Sequence, residues 1–101
     1  MAFELDVLAE ARAALGVTDT YFDGQINLAI AAARQKMQLG GVSADKANDD
    51  EDPLVIVAII AYVKGTVGND NPDAERYLES FESMVTQMKC TDAYRSGAQS
   101  E

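Results

Sequence analysis

Apolar residues recur along most of the chain at the spacing of helix faces, and the breaks between them divide it into four segments. The first runs from about Glu4 to Leu15. Leu5, Leu8, Arg12 and Leu15 share one face, with Ala9 and Ala11 beside it, and Gly16 stands where a left-handed C-terminal cap belongs. The second runs from about Thr20 to Leu39, with Phe22, Ile26, Ala29, Ile30, Ala33 and Met37 at the 3.6-residue period. Thr18 and Asp19 are its candidate N-caps. Asp23 near its start and Arg34 and Lys36 near its end complement the helix dipole, and Gly40 and Gly41 stop it. The fourth, from about Pro72 to Cys90, is the clearest. Ala74, Tyr77, Leu78, Phe81, Met84, Val85 and Met88 form one stripe, opposite Glu75, Arg76, Glu79, Glu82, Ser83 and Gln87. Asn71 and Pro72 supply its N-cap and first-turn signal.

The third segment, Pro53 to about Val67, is ambiguous by pattern. Leu54, Ile56, Ile59, Ile60, Tyr62 and Val63 lie in a run that is apolar on all sides and rich in β-branched residues, as in a buried strand. Two features favour a helix. Asp52 followed by Pro53 is an N-cap with proline at the first helical position, and the run outlasts an ordinary strand before Gly65 and Gly68. A helix apolar all round must be covered all round, by its own domain or by neighbouring subunits. Leu54, Ile56, Ile59, Ile60, Tyr62 and Val63, with Tyr77, Leu78 and Phe81 of the fourth segment, are the expected core or subunit-packing residues. Val42 to Asp52 reads as a polar loop and Thr91 to Glu101 as a polar tail. The expected fold is all-α: a compact bundle of four helices over residues 1–90, with a partner-binding C-terminal tail over 91–101.

Composition narrows the function. The chain has 101 residues and a net charge of −9, with eight Lys and Arg scattered along it. No basic patch of the kind that holds nucleic acid is visible. Acidity of this degree favours solubility, a basic partner, or a surface that repels DNA. There is no histidine, so the usual general base and the commonest metal ligand are missing. No glycine-rich phosphate loop is present, and the acids from Asp49 to Asp52 lack the glycine of a calcium loop. They read as a solvated loop with acids near a helix N-terminus. Neither catalysis nor a cofactor is expected. Cys90, the single cysteine, reads as a half-buried, inert thiol and fits a reducing compartment. No basic region followed by an apolar run opens the sequence, so no signal peptide is expected, and the run from Leu54 to Val63 is about half the length of a membrane span. A soluble protein, cytoplasmic at synthesis, is expected. Within the tail, Tyr94 and Arg95 are an aromatic and a cation of the types enriched at interface hot spots.

Taken in order, these pieces resemble the small head-tail connector (adaptor, or head-completion) proteins of long-tailed bacteriophages. The resemblance runs from Leu8 to Tyr94. It includes the opening helix ending Ala13, Ala14, Leu15, Gly16, Val17, and the acidic-aromatic start of the second helix, Asp19 to Asp23. Its most specific stretch is Asp52, Pro53, Leu54, then Ala61 to Gly65, then Gly68 to Tyr77. The resemblance implies that the third segment is helical. It also implies a ring, usually of twelve copies, beneath the portal of a DNA-filled capsid. Such a ring extends the DNA channel and presents a docking surface to a downstream neck, stopper or tail-completion protein. On that analogy the site is the head-tail junction of the virion, and Tyr94 and Arg95 contact the portal. The other reading is a small acidic helical regulator or DNA mimic that binds another protein. A mimic aligns its carboxylates along one face, whereas here they gather in the loop and on the last helix.

Overall fold

The computed structural model describes residues 6–67 and 72–95, and these are mostly helical. Five helices follow one another: α1 (Val7–Leu15), α2 (Asp23–Leu39), α3 (Ala44–Ala47), α4 (Pro53–Thr66) and α5 (Ala74–Lys89). The four long ones are the four apolar segments, and the all-α expectation holds. Glu4, Leu5, the stretch Gly68 to Asn71, and the tail beyond Arg95 lie outside the described residues.

Helix ends follow local chemistry. Asp6 caps α1 by accepting from the Ala9 amide at 3.2 Å, and Gly16 ends it at φ 74°, a left-handed conformation in which a side chain would be strained. The start of α2 differs from expectation. Asp19 accepts from the Tyr21 amide at 3.2 Å, closing a short turn, so the helix begins only at Asp23. The stretch expected as a loop contains α3, a single turn capped by Ser43, whose hydroxyl accepts from the Lys46 amide. A turn this short has no periodicity to betray it. Helix α4 starts as its sequence dictates, with the Asp52 carboxylate accepting from the Leu54 and Val55 amides and Pro53 behind it. Pro72 and Asp73 form a turn ahead of α5.

Helix α4 is the hub. It packs most extensively on α5, then on α2, then on α1. Val55, Ala58, Ile59 and Val63 are fully buried, and Ile56 and Ala61 nearly so. The covering that an all-apolar helix requires thus comes mainly from within the chain. Ile26, Ala33 and Met37 of α2 and Phe81, Val85 and Met88 of α5 complete the core, with Tyr62 tilted against Phe81 at a ring separation of 5.0 Å. The close approach of α5 to the last turn of α4 depends on Gly65: a Cβ there would lie 2.7 Å from the Leu78 side chain. The molecule is flattened, with extents of 46 × 36 × 17 Å.

Candidate interaction surface

The chain's C-terminal segment is not loose where it is described. After α5 it turns through Thr91, with the Tyr94 and Arg95 amides donating to the Thr91 carbonyl, and crosses back over the start of the loop that holds α3. Val42 and Arg95 form an isolated antiparallel bridge, and the Ser43 amide donates to the Tyr94 carbonyl at 2.8 Å. The Tyr94 hydroxyl donates to Asp52 Oδ1 at 3.1 Å, across 42 residues of sequence. Lys46 Nζ lies 3.3 Å from Asp52 Oδ2 and 4.9 Å from the centre of the Tyr94 ring.

Asp52 therefore serves two purposes. It caps α4 and receives the two side chains that fasten the tail. Burial pushes its carboxyl up, but the Tyr94 hydroxyl, the Lys46 ammonium and the Val55 and Leu54 amides outweigh burial and hold it below the ordinary carboxylate range. Burial raises the Tyr94 phenol, and the bond to Asp52 adds to that.

Tyr94 is half-buried in this anchor, while Arg95 is exposed and pairs with Asp92 at 2.6 Å. The structure brings Tyr94 together with α3 and α4, an association that its place near the chain end does not announce. Of the expected packing residues, Ile56, Ile59, Val63 and Phe81 are buried, Ile60, Tyr62, Tyr77 and Leu78 are half-buried, and Leu54 is 55% exposed. Val57, one turn on, is likewise open. Leu54 forms one wall of a largely apolar groove whose other walls are Met84, Gln87, Met88, Thr91 and Tyr94. Cys90, expected to be half-buried, is exposed and is the C-cap residue just past the end of α5.

A second apolar surface lies on α2. Leu28 is 73% and Leu39 80% exposed, both on the side facing away from the buried stripe. A sequence signal for them exists: they are the large apolar residues of α2 that fall out of phase with Ile26, Ile30 and Met37. Two charges of α2 are engaged elsewhere. Asp23 receives a two-pronged contact from Arg12, at 2.8 and 2.6 Å, and that guanidinium holds its carboxyl below the ordinary value. Arg34 reaches back to the Ala47 carbonyl and to Asp50 at 2.6 Å, so two acids of the polar stretch, Asp50 and Asp52, are partners within the fold. On α5 the exposed acids Glu75, Glu79 and Glu82 form one stripe.

These surfaces suit protein contacts. No helix among the described residues is long and apolar enough to cross a membrane. No curated protein and no solved structure matches the chain. The family model described as "Phage connector protein" matches residues 7–95, from the first residue of α1 to the bridge at Arg95. That span takes in the helical hub, the tail anchor and both apolar surfaces, and the chain belongs to this family of phage connector proteins, structural components of the virion at the head-tail junction.

Proposed function

We propose that the protein assembles as a ring, of twelve copies on the family resemblance, between the portal and the tail or neck. There it extends the DNA channel and offers a docking surface to the next neck, stopper or tail-completion protein. The observation that carries this reading is the family match across residues 7–95, which leaves no described helix outside it. The distribution of charge supports it. A wall that DNA must slide past is best built of like charge, and a subunit of net charge −9 with an exposed acidic stripe on α5 supplies that.

In this reading the portal is met by the end of the chain. Arg95 is the exposed cation at that end, and Tyr94 fixes its position by anchoring the segment to Asp52 and Ser43. The direct portal contact is therefore assigned to Arg95, with Tyr94 holding it in place.

The test is a mass measurement of the purified chain, alone and mixed with the portal protein of its phage. An added ring of protein on the portal is the expected result. A chain that stays monomeric and ignores the portal overturns the reading. Arg95→Glu should weaken portal association while leaving helical circular dichroism unchanged, since Arg95 lies beyond the helices and its side chain makes only a surface ion pair with Asp92. Association at wild-type strength would remove Arg95 from the contact.

A further inference from the structure

A chain carrying nine net negative charges repels its own copies, so copies meet at least cost on surfaces where charge is scarce. The distribution of charge over the helices is uneven. Among the nine exposed positions of α2, Lys36 is the one charged residue, whereas five of the nine exposed positions of α5 are charged. The outward line Leu28, Ala31, Gln35 and Leu39 follows the i, i+3, i+7, i+11 spacing of a single helix face and carries no charge. The groove walled by Leu54, Met84, Met88 and Tyr94 also has no charged residue among its lining side chains. The two differ in shape. One is a ridge on a helix, the other a cleft between the start of α4 and the end of α5.

The Leu28 end of the ridge is also apart from the groove. Leu28 lies beside Tyr62 and Thr66, near the C-terminal end of α4, while Leu54 is at its N-terminal end. Along the helix that is about 18 Å. A ring requires two distinct, non-overlapping, complementary surfaces on each subunit, because its contacts are head-to-tail rather than self-matching.

We propose that the uncharged face of α2, centred on Leu28, docks into the Leu54–Met88 groove of a second copy of this chain. This rests on the ring reading and names its subunit contact. Charge selects the occupant. A basic partner is drawn to the acidic stripe of α5, whereas an uncharged ridge and an uncharged groove are what an acidic chain offers to another acidic copy. The two methionines let the cleft adapt to a ridge of leucine, alanine and glutamine side chains.

The test measures self-association of the full chain, alone and on the portal, by mass and by light scattering. Leu28→Glu is expected to weaken it by more than about tenfold, because it buries an unpaired carboxylate in an apolar cleft. Leu28 is mostly exposed, so the variant should fold. Ser83→Glu, which adds the same charge on the outer face of α5, is expected to leave assembly unchanged. Adding Gln87→Lys at the groove should restore association to Leu28→Glu. Wild-type assembly of Leu28→Glu, equal damage from Ser83→Glu, or a double variant no better than Leu28→Glu alone overturns this contact while leaving the ring intact. A wild-type chain that never oligomerises, even on the portal, overturns the contact and the ring reading together.

Discussion

Asp52 joins two parts of the molecule that sequence keeps far apart. Its capping role is legible from the Asp-Pro pair, because the N-terminus of any helix leaves amides to satisfy. Its bond to Tyr94 is not legible, because a single contact across 42 residues leaves no periodic trace. The same holds for the pairing of Arg12 with Asp23: an arginine within an apolar stripe hints at a partner, without naming it. Tyr94→Phe keeps the ring and removes the hydroxyl, and it should cost about 1.5–3 kcal/mol in urea unfolding, as for a hydrogen bond to a charged group. It should also free the end of the chain to proteolysis. Stability should respond to acid as well. Asp52 and Asp23 are both held below the ordinary carboxylate value, so the stability they add is complete above about pH 4 and is lost as pH falls through their lowered values. A urea midpoint that falls steeply below pH 4 in the wild type, and less steeply in Asp52→Asn, is the expected result. Identical slopes would show that Asp52 is not the titrating group.

At the scale of elements, the four long helices are legible because each carries enough turns for its buried face to repeat. Helix α4 is the instructive case. Its apolar residues point in every direction, so periodicity left strand and helix open, and capping chemistry with length tipped the balance. Helix α3 leaves no periodic trace because four residues form one turn, and the late start of α2 is hidden because Asp19 closes a turn instead of capping the helix. The packing of α5 on α4 gives an element-scale prediction. Gly65→Ala should raise helix propensity, yet its Cβ would press on Leu78 and lie 3.1 Å from the Ala74 carbonyl. The net effect should be a loss of about 1–3 kcal/mol, as for overpacked cores. Leu78→Ala in the same chain should recover part of that loss, measured by a double-variant cycle in thermal or urea unfolding. Strict additivity of the two changes would contradict the contact.

For the whole molecule, net acidity is plain in the sequence, but its arrangement is not. Which charges face outward emerges only once Asp23, Arg34 and Asp50 are seen to be engaged in ion pairs. The outward acids of α5 are the stripe Glu75, Glu79 and Glu82, with Arg76 and Lys89 exposed on the same helix. Replacing all three with lysine should give a folded chain that retards duplex DNA at low salt and releases it as salt rises, whereas the wild type should leave DNA unretarded at every salt concentration. In phage assembled with the variant, DNA ejection should slow. Unchanged ejection would mean that the α5 stripe does not face the channel.

The flattened outline of the subunit sets the size of any closed ring. Copies placed like staves, with the 17 Å thickness along the circumference, give twelve of them a mean radius of about 32 Å. Copies laid flat, with the 36 Å dimension along it, open that radius to about 69 Å. With the 36 Å dimension along the radius, the staves reach inward to about 14 Å from the axis, whereas flat copies stop at about 60 Å, so only the staves would bring charge within the roughly 8–10 Å over which it acts in salt solution. In the proposed ring, the thinness of the fold would let many copies surround one narrow object and would turn a modest charge on each stave into a continuous repulsive sleeve.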